Sequence, residues 1–472
     1  MTADNHRAIY WAESAVVLYL VAPLFLFFCF YIRPEVGIPG CGLIAWCIYS
    51  IWKKTQWSAI RTDIKSLLII LPISIAWLAL GGNFGGLPQN ADWLKHYAVI
   101  NFIAQHSNQL SDTYHGHFEV LREYLGWYLI PGLIVKALNG HDQVLAAGIW
   151  TLIGIVLFFA LITHHLKRKM KHARLIVPLV FILFSGLDII GFFLTHHRLE
   201  FNVAFWAGWI HYSSNTSSLF WAPEHALPSW LGIAILMRQI DRATLTPYVV
   251  LIGSAILFWS PFAMIGLLPF GLAVILKNDA KKILLNKQTV ATLLLITLPL
   301  ILYLTANTQD ILRGWIWENR CVYTQTPCFT GLGYAQFLLI EIGAIVILLF
   351  ANKETRSLFL VLATGSLMLI PLYRIGFWTD LAKSGSIPAL AFLSIGMARL
   401  MGSKTTPSIK IIAVVLLAIG IISPICEVGR LSGWLRTAKA NPSITFTMPF
   451  IWNTPSFLPQ YFSDQPIWVL RS

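Results

Sequence analysis

Three stretches of the chain bring together side chains able to handle protons and anions. In Ala91-Asp92-Trp93-Leu94-Lys95-His96, one carboxylate and two potential cations stand a helical turn apart, because residues three and four apart share a helix face. That arrangement would hold an acid–base group beside an anionic phosphate. It would equally serve a plain helix start, with Asn90 or Asp92 as the cap and Lys95 in solvent. In 212–232, a run of Ser, Thr and Asn leads into Trp221-Ala222-Pro223-Glu224-His225. Hydroxyls there suit sugar or phosphate oxygens, and Glu224 and His225 fall at a helix start, which favours anions. A capped helix with an interfacial Trp fits the same residues. In 373–393, Arg374, Asp380 and Lys383 precede Ser384-Gly385-Ser386-Ile387-Pro388. Basic side chains over a helix start make a phosphate or pyrophosphate receptor, or else snorkel to an interface.

Further polar residues carry weaker signals. Asp188 lies in the apolar run FSGLDIIGFF, where a carboxylate binds a ligand, relays a proton or hydrogen-bonds a neighbouring helix. Cys321 and Cys328 share the loop NRCVYTQTPCF, and an oxidising compartment would permit a short-loop disulfide there. The remaining cysteines, Cys29, Cys41, Cys47 and Cys426, read as small apolar residues. His115, His117, His196 and His197 read as interfacial polar groups, so no metal site is expected. A divalent cation has no motif to support it, and no cofactor is called for. There is no P-loop, GxGxxG or GxSxG pattern. Asn215-Thr216-Ser217 matches a glycan acceptor pattern.

The elements that position these residues follow from composition. Of 472 residues, 57% are hydrophobic and only 12% charged, about half the charge of a soluble domain. Soluble enzymes, disordered chains and disulfide-stapled secreted domains are excluded. The apolar runs are long and continuous rather than alternating, which excludes a barrel. The fold expected is all-α, a single polytopic transmembrane bundle over 1–472. Candidate spans, several of them short of the roughly 20 residues a bilayer needs, fall at 14–32, 36–52, 66–82, 143–165, 175–195, 227–240, 246–260, 261–276, 289–305, 335–350, 357–373, 387–400 and 409–426. The segment 246–276 reads as one long helix or as a hairpin turning at Ser260-Pro261. The run 125–138 reads as re-entrant or interfacial, broken at Pro131-Gly132.

The charge of +13 comes from 34 Lys and Arg against 21 Asp and Glu, and it reads as membrane topology rather than nucleic-acid binding. Short segments on one face hold 21 of the 34, including Lys53, Lys54, Lys167 and Lys277; that face is cytoplasmic by the positive-inside rule. The loops 83–124, 196–226, 306–334 and 374–386 and the tail 427–472 then gather on the outer face. With the run 125–138 included, residues 83–142 form the first large outer loop, with interfacial or re-entrant helices. Chemistry or binding at the outer membrane surface is the implication.

Taken together, Ala91-Asp92-Trp93-Leu94-Lys95-His96, Ser214-Asn215-Thr216 through Glu224-His225, and Thr379-Asp380 through Pro388-Ala389-Leu390 resemble bacterial membrane proteins related to the GT-C glycosyltransferase superfamily. The resemblance implies about 10–14 membrane helices, which fits the roughly 11–14 spans expected of this chain, and an extracytoplasmic active face on the inner membrane. It implies transfer of a hexosyl or pentosyl group from a lipid-linked donor of the polyprenyl-phosphate type to a glycan, lipid or protein acceptor, with membrane lipids as the other partners. An acidic residue in the first outer loop is the general base and the anomeric centre inverts, which points to Asp92. Lys95, His96, His225, Arg374 and Lys383 would then bind the leaving phosphate, and Glu224 or Asp380 would orient hydroxyls. Two features depart from the superfamily: two helices precede the loop-bearing one, and no adjacent carboxylate pair surrounds Asp92. The competing readings are a transporter or flippase of a lipid-linked sugar, an O-antigen ligase or polymerase, and an inactive scaffold.

Overall fold

The computed structural model describes residues 8–471 apart from 107–108, 115–116, 168–169, 171, 198–202, 209, 309–310, 319–330, 377–378 and 439–460. Cys321 and Cys328 lie outside the described residues. Away from water a backbone must satisfy its own hydrogen bonds, and the apolar runs do so as helices. Among the described residues, nine helices are long and apolar enough to cross a membrane, and three shorter apolar ones accompany them. This is the frame of a multi-pass membrane protein. Its outward side chains agree, with Ile38, Leu68, Leu276 and Ile347 all exposed where a soluble protein carries charge.

Helices α1 (Trp11–Phe30) and α2 (Pro34–Lys53) form a hairpin. A parallel pairing of β1 (Ile9–Tyr10) with β2 (Thr55–Gln56) closes its base. At that base Glu13 meets Arg238 at 3.0 Å and Asp63 meets Lys167 at 2.9 Å. Lys277 meets Asp241 there at 3.0 Å. We call this the basic end and the opposite one the loop end.

Helix α3 (Ile60–Leu80) starts at the basic end, α4 (Asp92–Gln105) lies beyond it, α5 spans Leu129–Ala137, and α6 (Gln143–Leu166) finishes at the basic end. Residues 81–142 therefore leave and rejoin the body at the loop end. The nine residues of α5 span only about 14 Å, too little to cross. The expected break at Pro131-Gly132 is absent: α5 runs through both. Pro131 falls in its first turn, where a missing N–H leaves no bond unmade.

The next span is interrupted. Between α7 (Ala173–Leu183) and α8 (Asp188–His196), residues 184–187 are not helical. The carbonyls this exposes are taken up by α9 (Asn215–Trp221): Asn215 Nδ2 donates to Phe181 O at 2.9 Å and Thr216 Oγ1 to Ile182 O at 2.7 Å. Asn215 is thus buried and engaged, which overturns the glycan-acceptor reading.

Helix α10 (Pro223–Arg242) opens at Pro223, four residues before the expected start. The segment 246–276 is a hairpin of α11 (Val249–Trp259) and α12 (Pro261–Lys277). Lys54 over the Tyr248 ring at 5.8 Å and the Lys277–Asp241 pair place both of its open ends at the basic end. Ser260 forms the tip and accepts Ala263 N–H at 3.0 Å as the cap of α12.

The rest alternates in the same way, through α13 (Lys287–Thr305), α14 (Gly331–Ala351), α15 (Leu358–Leu369), the short α16 (Asp380–Gly385) and α17 (Ile387–Gly402). Helices α18 (Pro407–Gly420) and α19 (Ile422–Ala438) complete it. The latter runs past residue 427, where the tail was expected to begin. Three strands cover the loop end, β3 (Ser111–Tyr114), β4 (His117–Leu121) and β7 (Phe462–Ser463), with β4 central and antiparallel to both. A second pair, β5 (Arg313–Trp315) and β6 (Tyr373–Ile375), lies beside them.

Candidate functional site: a polar cavity at the loop end

Several helix starts converge beneath the strands. Asp92 is the first residue of α4, Glu224 the second of α10, Pro261 the first of α12 and Asp380 the first of α16. Between them opens a cavity of about 710 Å³ whose lining carries six carboxyl groups and five cationic side chains. The amino ends of α4, α10 and α12 direct their partial positive charge at this space. One wall is apolar, built from Phe262, Ile265 and Leu304.

Asp92 lines the cavity. Its backbone N–H donates to Asn90 Oδ1 at 3.0 Å, so Asn90 supports the helix start and the Asp92 carboxylate is not spent on capping. Lys95 stands one turn on, 3.5 Å from Glu224 Oε1 and over the Tyr461 ring at 5.4 Å. Glu224 is buried, and its second oxygen has no hydrogen-bond partner. His225 lies between the Ser260 hydroxyl, at 2.7 Å from Nδ1, and the Tyr124 hydroxyl, at 3.1 Å from Nε2. Ser260 already accepts Ala263 N–H, so its own proton is available to Nδ1.

Across the cavity, Asp380 Oδ1 is 3.8 Å from Lys383 Nζ. Gly376 makes room for this carboxylate: at φ +83° it turns the chain left-handed, and a Cβ would stand 2.0 Å from Asp380 Oδ2. Asp92, Lys95, Glu224, His225, Asp380 and Lys383 therefore share one cavity.

His96 and Arg374 do not line it. His96 is wholly buried behind the wall, with Nδ1 2.9 Å from the Tyr128 hydroxyl and Nε2 3.0 Å from Trp221 O. A carbonyl only accepts, so Nε2 carries the proton and Nδ1 receives Tyr128. Burial, reinforced by Lys95, lowers its pKa to about 3, so the ring is neutral and cannot act as a phosphate-binding cation. It positions the Trp221–Glu224 turn instead. Arg374 is buried in β6, where Nε donates to Gly376 O at 3.2 Å; it supports the turn that admits Asp380.

Several lining residues were missed in the sequence. Arg122, Glu123 and Tyr124 follow β4, and Tyr461 arrives with β7, whose pairing is locked by Arg122 N–H donating to Tyr461 O at 2.7 Å. Glu123 is buried with neither carboxyl oxygen hydrogen-bonded. Burial raises its pKa from 4.5 to about 8, against the pull of Lys95 and with the push of Glu224, so it is protonated at neutral pH. On α19, Glu427 accepts Trp221 Nε1 at 2.6 Å and Arg430 at 2.7 Å. The one local signal for Glu123 was an Arg-Glu-Tyr triplet entering an otherwise apolar run.

Fold and site together define a multi-pass helical membrane protein with a charged cavity sunk into one end. No family model, curated protein or solved structure matches the chain.

Proposed function

We propose that the cavity transfers a glycosyl group from a polyprenyl-phosphate-type carrier to a hydroxyl of an envelope glycan, lipid or protein. The observation that carries this reading is the meeting of Asp92, Lys95 and Lys383 with three helix amino ends and an apolar wall in one space. Helix amino ends and lysines suit the carrier phosphate, and Phe262, Ile265 and Leu304 suit its hydrocarbon chain. The Asp92 carboxylate accepts the acceptor hydroxyl proton as that oxygen bonds to the anomeric carbon. The bond from the anomeric carbon to phosphate breaks, and Lys95 and Lys383 stabilise the departing phosphate. A single displacement of this kind inverts the anomeric centre.

Protonated Glu123 can donate a hydrogen bond that an ionised carboxylate cannot. The Lys and Arg residues at the basic end, opposite the cavity, favour an extracytoplasmic active face in a bacterial inner membrane. One observation favours proton-coupled transport of a lipid-linked sugar instead: a carboxyl pair, Asp188 and Glu341, buried within the spans.

Asp92→Asn separates these readings in vesicles supplied with a polyprenyl-phosphate sugar and followed by mass spectrometry. Glycosyl transfer requires a new glycosidic product that falls about 10²–10⁴-fold in the variant, with thermal stability unchanged. Full activity in the variant rejects Asp92 as base, and carrier movement without a new glycosidic bond identifies a transporter.

A further inference from the structure

The second carboxyl pair lies where the backbone is irregular twice over. Asp188 opens α8 directly after the non-helical residues 184–187, and Glu341 sits in a π-helical stretch of α14, Leu339–Gly343. Such bulges concentrate at functional sites. Both side chains are fully buried. Asp188 Oδ2 accepts from Ser185 Oγ at 2.8 Å and Ser423 Oγ at 2.6 Å. Glu341 Oε1 accepts from Trp206 Nε1 at 2.6 Å.

Their other oxygens, Asp188 Oδ1 and Glu341 Oε2, have no donor, yet the two groups stand within hydrogen-bond reach of one another. Gly186 permits the approach, since a Cβ there would lie 2.1 Å from Glu341 Oε2. Two ionised carboxylates in contact away from water repel each other and leave both oxygens unsatisfied. One proton between them removes the repulsion and supplies the missing donor.

The elements packed on α8 are the π-helical stretch of α14, residues 203–205, α18 and α19. Besides Glu341, Cys426 of α19 feels the charge of Asp188 and of Glu427; Glu427 is held by Arg430 and Trp221. His211 joins Asp188 in the cavity lining.

We infer that Asp188 and Glu341 form a proton-binding site, a carboxyl–carboxylate pair sharing one proton, and that Asp188 links it to occupancy of the cavity it also lines. An anion entering the cavity raises the proton affinity of the pair. A second proton is then taken from hydronium of the loop-end solution: one hydronium O–H bond breaks, leaving water, as one O–H bond forms on the remaining carboxylate, and the pair becomes neutral. Linkage makes anion binding weaken as pH rises. None of this depends on glycosyl transfer.

Infrared spectra of the full chain in lipid nanodiscs test the pair. In a Glu123→Gln background, which removes the protonated Glu123, the expected result is a protonated-carboxyl band at neutral pH that disappears in Glu341→Gln and in Asp188→Asn. Ser423→Ala removes one donor from Asp188 and should move the band's titration to higher pH, which keeps the test open where a carboxyl variant does not fold. Calorimetric titration with inorganic pyrophosphate, in buffers of different ionisation enthalpy, should show proton uptake by the wild type and none by Glu341→Gln. Absence of the band, or a band that responds to Na⁺ and not to pH, overturns the proton site. Pyrophosphate that fails to bind, or binds without proton uptake, overturns its link to the cavity.

Discussion

The two ends of the molecule both bury charge, and they do so differently. At the basic end Glu13 is saturated: its carboxylate accepts from Arg238, from Gln239 at 2.8 Å and from Tyr10 N–H at 3.1 Å. Asp63 is likewise filled by Tyr10, Trp11 and Lys167. At the loop end, Glu123 has neither oxygen bonded, and Glu224 and Asp188 each have one left over. Buried carboxylates are normally satisfied, so the unfilled carboxyl oxygens at the loop end mark where a ligand or a proton belongs. Burial alone does not distinguish structural from functional charge. Saturation does.

The largest effect expected from this contrast is at the basic end. Arg238→Met leaves Glu13 buried without its cation and should lower stability by about 3–5 kcal/mol. Denaturation midpoints measure this, while turnover per folded molecule stays unchanged; a loss of turnover without loss of stability would erase the distinction between the ends.

Glu123→Gln should act on pH dependence instead. Its folded pKa lies near 8 against 4.5 when exposed. The stabilisation from its neutral form is therefore complete below about 4.5 and is lost as pH rises through about 8. Wild-type stability should fall between about 4.5 and about 8, and any activity that needs the protonated group should fall as pH passes about 8. The Gln variant should flatten the stability profile; an unchanged limb would show that another group titrates there.

The smallest effect belongs to Lys277→Ala. Its pair with Asp241 has side chains 53% and 72% exposed, and such pairs contribute about 0–1 kcal/mol. A thermal shift comparable to that of Arg238→Met would contradict this.

The spans were legible because their signal is length: Trp11–Phe30 and Gln143–Leu166 are apolar all round, and no packing partner is needed to recognise them. Proline at a helix start marked the Ser260-Pro261 turn as one of two readings, and packing decided between them. The three polar motifs were legible because each surrounds a helix start, and helix starts converge on the cavity. Which side of α4 meets it was not legible. Lys95 and His96 flank Asp92 almost symmetrically on the helix, and only the docking of Trp221 sends His96 behind the wall. Glu123 and Tyr461 depend on β4 pairing with β7 from the far end of the chain, a contact with no local signature. Glu427 depended on α19 continuing past the point where its apolar run ends.

The hairpin of α11 and α12 sets one more property. With eleven residues, α11 rises about 17 Å from the basic end, against about 30 Å for the twenty residues of α1. Voltage across a membrane falls over whatever insulates one solution from the other, about 2.3 kcal/mol per charge for each 100 mV. The cavity reaches Pro261 and Phe262 beside the tip, and solution entering it concentrates that fall into the shorter path beneath. His225 and Asp92 then sit near the electrical potential of the loop-end solution, while the field steepens across α11 and the lower half of α12.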